Sequence, residues 1–359
     1  MSLESLLARG VEEQVFPLAR LEVFHQSRHA LSLGNAASGC VFDLASVTKV
    51  MSTTALVLET RLAVDAPVTG YLPNARARAT LNDLLFHRSG LPAFLPFFER
   101  ELLAHPELFE GPQAPLRAEV RRSVLARVQN TAQERPVAAQ AVYSDLGFIL
   151  LGAALEAATS LPLDRLFAER IAAPLGLSAG FRRLSAALPV PAECAPTGTT
   201  RPREPAPGQE GLWSVPERPT EPCQVDDDNA WCLDGVSGHA GLFGTALDVA
   251  RFGQAILDGR WAPPTAWAPD RVTPGSTRAF GFDTPSNEGA SCGHRFGRRG
   301  PRGAIGHLGF TGTSLWIDLD RQLVVALLTN RVALGRGNIR IREFRPRSHD
   351  AVLDALKLE

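Results

Sequence analysis

The sequence lacks any long apolar run, and it lacks an excess of charge of either sign. No stretch of about 18 consecutive apolar residues is present, so we expect no membrane span. The 37 basic and 38 acidic residues leave a formal net charge of −1, which indicates neither a nucleic-acid partner nor a membrane-surface partner. The first ten residues also lack the apolar core of a signal peptide. We therefore expect a cytoplasmic location, or a leader that has been removed.

Cysteine is also scarce, and its spacing indicates no site. The five cysteines form an odd set without a CxxC pair; they are Cys40, Cys194, Cys223, Cys232 and Cys292. Such a set predicts neither a disulfide framework nor a zinc site, so we expect reduced structural thiols, with a Cys223–Cys232 pair as the alternative. The acidic run DDD at 226–228 has no histidine or further carboxylate at ligand spacing, so we expect a solvated loop there. We expect no metal and no cofactor.

Strand patterns lie near both ends of the 359-residue chain, and helical patterns fill the middle. Apolar runs at 16–24 and 29–33 predict one β-hairpin, and runs at 313–317 and 323–329 predict a second. Helices are predicted at 44–58, 81–86, 116–128, 146–158, 163–171, 246–257 and 351–358. The first of these helices is apolar on every side, which is typical of a helix buried inside a large protein, and Asp43 is its expected N-cap.

These elements predict an α/β (α+β) fold, in which the N- and C-terminal segments form one antiparallel sheet flanked by helices. In this interpretation residues 1–60 and 230–359 make up the sheet domain, and residues 61–229 form an inserted, mainly helical domain. The insert contains a proline-rich loop at 186–222, which is too long for an idle connection. Loops of that kind are usually disordered or functional, and functional ones often line a cleft.

The tetrapeptide SVTK at 46–49 points most directly to a chemistry. Ser46 and Lys49 are three residues apart at the start of a predicted helix, so they share one face. A serine hydroxyl needs a base to become a nucleophile, and burial lowers the pKa of a lysine, which makes it a usable base. Backbone N–H groups at a helix start also stabilise a developing oxyanion. The alternative is a solvent-facing lysine, but this helix is apolar and a buried lysine needs a reason.

Two further segments carry polar or glycine residues next to predicted elements. Tyr143 and Asp145 are two residues apart in an extended segment, so both can face one cleft, and a tyrosine there can relay a proton. The alternative for Asp145 is a helix N-cap. The segment GHLGFTG at 306–312 leads into the strand at 313–317, and its glycines let a ligand or another backbone come close. The alternative for this segment is a β-bulge on an edge strand.

Three stretches follow one another along the chain: FDLASVTK at 42–49, YSDLGFILLG at 143–152 and GHLGFTGTSLWID at 306–318. Together they resemble the serine β-lactamase-like family of SxxK hydrolases, nearest to its class C, esterase and DD-peptidase branch. The stretches LAVDAPVTGYLP, LNDLLFHRSGLP and DGVSGHAGLFGTALDVARF also resemble that branch. The resemblance runs from about residue 17 to residue 331, and it implies a β-lactamase/transpeptidase-like fold.

The resemblance implies roles for individual residues. Ser46 matches the acylated nucleophile, Lys49 matches its hydrogen-bonded base partner, and Tyr143 matches the tyrosine that relays the proton. Gly309 matches the glycine of the third motif. The N–H of Phe310 would join that of Ser46 in an oxyanion hole.

Two residues depart from the family pattern. His307 stands where β-lactamases and many peptidases have lysine, so a permanent cation for a substrate carboxylate is absent. Asp145 stands where many relatives have asparagine, so an amide donor is replaced by a group that can be negative. Both changes disfavour β-lactams and D-Ala-D-Ala peptides, which carry a carboxylate, and both are compatible with neutral esters.

We therefore expect a serine hydrolase that forms an acyl-enzyme at Ser46, and more specifically an esterase whose partner is a small-molecule ester or amide. One alternative is a β-lactamase or a D-amino-acid peptidase of the penicillin-binding-protein type. Another is a non-catalytic binding protein on this fold, although the intact Ser46, Lys49 and Tyr143 argue against it. His87 is expected to satisfy a loop backbone and His239 to be structural. The oligomeric state is left open.

Overall fold

A seven-stranded antiparallel sheet joins the two ends of the chain in the computed structural model, which describes residues 1–198, 222–261, 267–286 and 291–358. The strands are β1 (Ala19–His25), β2 (Arg28–Gly34), β3 (Phe42–Asp43), β4 (Gly180–Phe181), β5 (Leu242–Gly244), β6 (Arg278–Ala279), β7 (Phe282–Asp283), β8 (Ala304–Leu308), β9 (Ser314–Asp318) and β10 (Leu323–Thr329). The large sheet has the order β2-β1-β10-β9-β8-β7-β6, and a small sheet has the order β3-β5-β4. Both predicted hairpins and the sheet built from both ends of the chain are confirmed. The predicted domain boundaries stay predictions.

Helices fill the middle of the chain and cover the sheet. They are α1 (Leu3–Glu12), α2 (Ala55–Glu59), α3 (Leu81–Leu85), α4 (Phe97–Ala104), α5 (Ala114–Gln129), α6 (Asp145–Thr159), α7 (Leu163–Phe167), α8 (Ala173–Leu175), α9 (Asp228–Cys232), α10 (Ala246–Leu257) and α11 (Ile341–Ala355). Two π-helical segments, Lys49–Thr54 and Ala168–Ala172, precede α2 and α8, and short 3₁₀ turns lie at Val68–Gly70, Pro106–Glu110, Leu184–Ala186 and Arg331–Leu334.

No single helix among the described residues has the length and apolarity to cross a membrane. One pair, Asp145–Thr159 with Leu163–Leu175, meets that test of length and composition only when its two helices are taken together, and they are bent by 80°.

The large sheet has an apolar core on each face, because side chains alternate along its strands. On β10, Val324, Ala326 and Leu328 belong to the core shared with the helices of the middle segment. The intervening Leu323, Val325 and Leu327 belong to a second core that α1 and α11 cover. The sheet is therefore buried between two helical layers, which explains why β10 reads as a continuous apolar run.

Three helix predictions need correction at the ends of the chain and near residue 100. α1 was not predicted, although Leu3, Leu6, Leu7 and Gly10 are buried at helical spacing and Ser2 accepts the Ser5 N–H as N-cap. α4 (Phe97–Ala104) was not predicted either. The closing helix α11 begins at Ile341, ten residues before its predicted start. Proline inside a helix removes a hydrogen bond and normally marks a boundary, and Pro346 lies within α11.

The expectation that all cysteines are reduced is wrong for one pair. Cys194 and Cys223 form a disulfide with Cα atoms 6.1 Å apart, whereas Cys40, Cys232 and Cys292 are buried and belong to no disulfide of the described residues. The bridge joins the two ends of the proline-rich segment, whose residues 199–221 lie outside the described residues. Sequence spacing alone did not reveal this pair, because the 29-residue separation matches no short cysteine motif.

Candidate active site

Ser46 stands on a tight turn between β3 and the buried helix that begins with the π-helical segment. Ala45 before it has a φ of +47°, a left-handed conformation that costs a non-glycine residue about 1–2 kcal/mol. Asp43 holds this turn, because Oδ1 accepts the Ala45 N–H at 2.8 Å and Oδ2 accepts the Asp226 N–H at 2.7 Å. The prediction that Asp43 is the helix N-cap is therefore wrong. Asp43 lies in β3 and fixes the turn that presents Ser46 to the cleft.

Lys49 is completely buried, so the alternative of a solvent-facing lysine is excluded. It is one of only two lysines in a chain that uses arginine for nearly all of its basic residues. Its Nζ donates to Ser46 Oγ at 3.0 Å and to the His239 carbonyl at 3.1 Å, and it pairs with Asp145 Oδ1 at 2.8 Å. The same Nζ lies 4.9 Å from the centre of the Tyr143 ring. The structure thus brings the serine, the lysine, the tyrosine and the aspartate together.

The predicted direction of the Lys49 pKa is wrong. Burial by itself lowers this pKa, but the charges and hydrogen bonds of Asp145 and Tyr143 outweigh burial and raise it above the ordinary lysine value. Lys49 is therefore an ammonium ion in the free protein. A cation in this position stabilises negative charge that develops on the neighbouring oxygens. The sequence around Lys49 indicates only its burial, because the carboxylate that raises its pKa comes from a segment almost a hundred residues away.

The segment at 143–145 leads from an extended stretch into α6. Ser144 is the N-cap, since its Oγ accepts the Gly147 N–H at 3.3 Å, and Asp145 is the first residue of the helix. The alternative that Asp145 is only a cap is therefore wrong. Tyr143 and Asp145 both line the cleft beside Ser46.

His87 forms hydrogen bonds with the two residues that flank Tyr143 in the chain. The His87 carbonyl accepts the Val142 N–H at 2.8 Å, and His87 Nδ1 accepts the Ser144 N–H at 3.0 Å. The two rings are 4.7 Å apart. Burial, with the nearby cations, lowers the pKa of His87 well below its usual value, so the ring is neutral. The expectation that His87 satisfies a loop backbone is confirmed, but its contact with Tyr143 was not foreseen.

His307 lies in β8 across the cleft from Tyr143, with 5.9 Å between ring centres. Its Nδ1 donates to the Leu308 carbonyl at 2.8 Å, and within the described ranges Nε2 is buried without a hydrogen-bond partner. Burial lowers the pKa of His307 well below its usual value, and Lys49 and Arg278 lower it further. His307 is therefore a neutral ring that gives the cleft no fixed positive charge at this position.

The turn after β8 is fastened to the backbone just before Ser46. Thr311 Oγ1 donates to the Asp43 carbonyl at 2.8 Å, and Thr313 Oγ1 donates to the Leu44 carbonyl at 3.0 Å. Gly309 has no room for a side chain, because a Cβ would lie 1.9 Å from Thr313 Oγ1 and 2.7 Å from the Leu44 oxygen. This close approach of two backbones is what the glycine-rich motif predicted. It brings Gly309 and Phe310 to the cleft that Ser46 lines.

The cleft has a volume of about 610 Å³, within the range usual for small-molecule sites. Among the described residues, five arginines line it, and none of them belongs to a motif that predicted the site: Arg278, Arg331, Arg336, Arg342 and Arg345. Four of the five come from residues 331–345, beyond the last motif. No short pattern could have identified them, because α11 and the 3₁₀ turn before it reach the cleft only through the tertiary fold.

The acidic run at 226–228 is not the solvated loop that was expected. Asp226 and Asp228 are buried, and Arg336 pairs with both of them, at 3.3 Å and 2.8 Å. Asp227 caps α9 and pairs with His239 Nε2 at 2.9 Å, which gives His239 its structural role. In the part of the chain that the structure describes, no three His, Cys, Asp or Glu side chains are grouped so that they could hold a metal ion.

Comparison with known proteins gives matches over nearly the whole chain. The family model for β-lactamase matches residues 3–344. A protein of Salmonella agona (strain SL483), provisionally named D-alanyl-D-alanine carboxypeptidase, is 29% identical over 323 residues, which cover 82% of this chain and 70% of that protein.

Solved structures match over a similar extent at lower identity. The octameric penicillin-binding protein homologue from Pyrococcus abyssi has a TM-score of 0.69 and 15% identity, over 99% of this chain and 77% of that one. EstCE1, a hydrolase with promiscuous acyltransferase activity, has a TM-score of 0.63 and 19% identity, over 95% of this chain and 97% of that one. At these identities the two structures show a shared fold.

Proposed function

This chain is a serine hydrolase of the β-lactamase family, and we propose that it is an esterase that cleaves small acyl esters through an acyl-enzyme at Ser46. The proposal combines the contact between Ser46 and Lys49 with the neutral ring of His307 on the opposite wall. A neutral ester needs a nucleophile, a proton relay and an oxyanion hole, and it makes no demand for a fixed cation at position 307.

In this mechanism Ser46 Oγ attacks the ester carbonyl carbon, and the carbonyl oxygen becomes an oxyanion. Lys49 first gives a proton to Asp145, whose Oδ1 lies 2.8 Å from Nζ. The neutral Lys49 amine then accepts the Ser46 proton, which returns through Tyr143 to the alkoxide as the bond to the leaving group breaks. Water then attacks the acyl-Ser46 carbonyl in the same way, which releases the carboxylic acid and restores Ser46. The N–H groups of Ser46 and Phe310 bind the oxyanion in both steps.

Lys49 and Asp145 contribute charge to this mechanism. The Lys49 ammonium stabilises the oxygen anions that form on Ser46 and Tyr143, and Asp145 balances that ammonium at 2.8 Å when no substrate is present. Asp145 would also repel a substrate carboxylate placed beside it. This repulsion favours neutral substrates over β-lactams and peptide C-termini.

Arg278 supports a second candidate, a D-amino-acid carboxypeptidase. Its guanidinium lies 5.2 Å from the centre of the Tyr143 ring and 3.7 Å from Asp283 Oδ1, so a cation is present in the cleft although position 307 lacks one. A substrate carboxylate that reached Arg278 would gain a charge-assisted hydrogen bond. The Salmonella relative carries the corresponding name.

The two candidates are separated by one set of assays. p-Nitrophenyl acetate, p-nitrophenyl butyrate, nitrocefin and a D-Ala-D-Ala peptide are compared on the wild-type protein, with Ser46→Ala as the inactive control. We expect kcat/KM for the esters to exceed that for nitrocefin by roughly one to two decades, since one charge-assisted hydrogen bond is worth about 1.5–3 kcal/mol.

Nitrocefin turnover equal to that of the esters would contradict the esterase proposal. Peptide cleavage that is lost in Arg278→Gln, while ester cleavage is retained, would establish the carboxypeptidase instead.

A further inference from the structure

We propose that Arg345 is a positioning residue that polarises and orients the peptide group whose N–H, that of Phe310, binds the oxyanion. The inference rests on the proposed function, because it concerns the oxyanion hole of that reaction.

The peptide group that joins Gly309 to Phe310 lies in the turn after β8. The Gly309 carbonyl and the Phe310 N–H belong to the same planar unit, so a group that binds the oxygen also fixes the direction of the N–H. Arg345 Nη2 donates to the Gly309 oxygen at 2.8 Å and to the Thr313 oxygen at 2.8 Å. The Gly312 N–H donates to the same Gly309 oxygen at 3.1 Å. The carbonyl end of this peptide group is therefore held by a cation and an amide.

Arg345 reaches this turn from α11 and is buried there. No carboxylate of the described residues lies within ion-pair distance of it, and the charged side chain that most affects it is another cation, Arg331. Burying a guanidinium without a counterion is costly, so the two carbonyl oxygens are what compensate for its desolvation. Burial and the charge of Arg331 lower the pKa of Arg345 to about 9, which leaves it protonated at neutral pH. A full positive charge therefore lies on the carbonyl side of the Gly309–Phe310 peptide group.

A positive charge beside the carbonyl oxygen makes the N–H of the same peptide group a stronger hydrogen-bond donor, because hydrogen bonds in a chain polarise one another. The low-dielectric surroundings of Arg345 increase that effect. Oxyanion holes work because their donors are aligned before the reaction begins, so the fixed orientation contributes as well. Both effects appear in the transition state, where the oxyanion exists, more than in the bound ester.

Arg331 provides a matched control within the same turn. Its Nε donates to the Phe310 carbonyl at 2.8 Å, and its guanidinium lies 4.5 Å from the centre of the Phe310 ring. It is also buried. The Phe310 carbonyl, however, belongs to the peptide group that carries the Thr311 N–H. Arg331 therefore stabilises the turn without polarising the Phe310 N–H.

The test compares Arg345→Gln, Arg345→Lys and Arg331→Gln with p-nitrophenyl acetate and its thiono analogue, in which sulfur replaces the carbonyl oxygen. Sulfur accepts hydrogen bonds weakly, so an intact oxyanion hole favours the oxygen ester. We expect Arg345→Gln to lower kcat for the oxygen ester about tenfold, with KM within about twofold, since loss of a whole oxyanion donor costs roughly 10²–10³. The preference for oxygen over sulfur should shrink by a similar factor.

Arg345→Lys keeps the charge, so it should recover part of kcat and of the oxygen preference. Arg331→Gln should leave the oxygen preference unchanged, whatever it does to the melting temperature. The inference is overturned if the Arg345 variants keep the wild-type preference, or if Arg331→Gln reduces it equally. If Arg345→Gln does not fold, Arg345→Lys and the rate of fluorophosphonate reaction at Ser46 decide in the same way. Absence of wild-type ester turnover would overturn the proposed function and this inference together, whereas turnover with an unchanged preference overturns the inference alone.

Discussion

The two walls of the cleft hold their charged side chains in different ways. On the wall formed by the Ser46 turn and α6, the Lys49 ammonium is paired with the Asp145 carboxylate at 2.8 Å. On the wall formed by the turn after β8, Arg345 and Arg331 bind backbone carbonyl oxygens at 2.8 Å. The first wall is balanced in charge, whereas the hydrogen bonds that Arg345 and Arg331 make to described residues all go to neutral backbone oxygens.

This difference separates the tasks of the two walls. A balanced pair can exchange a proton with a neighbouring hydroxyl without leaving an isolated charge, which suits the step in which Ser46 is deprotonated. Guanidinium groups are not easily deprotonated, so both arginines keep their charge. Arg345, as proposed above, orients the peptide group whose N–H binds the oxyanion, and Arg331 stabilises the turn that carries it. The two walls thus divide proton transfer from charge stabilisation.

The largest expected effect is on turnover, at the proton-transferring wall. Lys49→Met and Tyr143→Phe should each lower kcat by about 10³-fold or more, by analogy with other serine hydrolases. If the two residues act as one relay, the double variant should be scarcely worse than the worse single one. The measurement is kcat for p-nitrophenyl acetate in the four proteins. Losses that multiply fully would show that Lys49 and Tyr143 act independently.

The next effect is on stability, at the same wall. Lys49→Met leaves Asp145 buried without its partner, which should lower the free energy of unfolding by about 3–5 kcal/mol. Adding Asp145→Asn removes the uncompensated charge and should restore most of that loss, although activity stays absent. Urea denaturation of both single variants and the double variant measures this coupling. A double variant as unstable as Lys49→Met would show that the pair is not balanced in the way described.

The smallest expected effect is on how the stability of the protein depends on pH, and it concerns a histidine next to the second wall. His349 is buried on α11 behind Arg345, and its Nδ1 donates to the Arg345 carbonyl at 2.8 Å. Burial lowers the pKa of His349 from 6.5 to about 4. The unfolded chain therefore binds this proton more tightly, so the stability contributed by neutral His349 is complete above about pH 6.5 and is lost as the pH falls toward 4. The full loss amounts to about 3 kcal/mol.

His349→Gln should therefore flatten the fall in stability between pH 6.5 and pH 4 when urea midpoints are compared with those of the wild-type protein. Asp43 acts in the opposite sense. Burial raises its pKa to about 7, so its contribution is complete below about pH 3.8 and is lost as the pH rises through 7. If stability falls between pH 6.5 and pH 4 as steeply in His349→Gln as in the wild-type protein, the acid sensitivity comes from other groups.

Much of the sheet and of the first wall could be predicted from the sequence. The apolar runs predicted both hairpins, and the motifs at 46–49 and 143–145 predicted residues that the structure brings together. These predictions succeeded because periodicity and short spacing depend only on the helix or strand in which a residue lies. The pKa of Lys49 was predicted in the wrong direction for the complementary reason, since its shift depends on Asp145, which no local pattern connects to it.

The second wall could not be predicted for the same reason. The Asp226 and Asp228 side chains are buried by Arg336, more than a hundred residues away, so the acidic run looked solvated. Arg345 lies in the first ten residues of α11, which were not predicted to be helical because they are rich in charge and contain Pro346. The Cys194–Cys223 bridge likewise needs the fold to bring its two ends together. Each of these features is a long-range contact, which sequence spacing does not encode.

The central claim, that Ser46 is the nucleophile of this hydrolase, is tested most directly by covalent labelling. The protein is incubated with a fluorophosphonate, digested, and its labelled peptide identified by mass spectrometry, with Ser46→Ala and Lys49→Met treated in parallel. We predict one label on Ser46, none on the Ser46→Ala protein and a much slower reaction of Lys49→Met, because Lys49 Nζ contacts Ser46 Oγ at 3.0 Å. A label on another residue, or no label on a folded wild-type protein, would contradict the account.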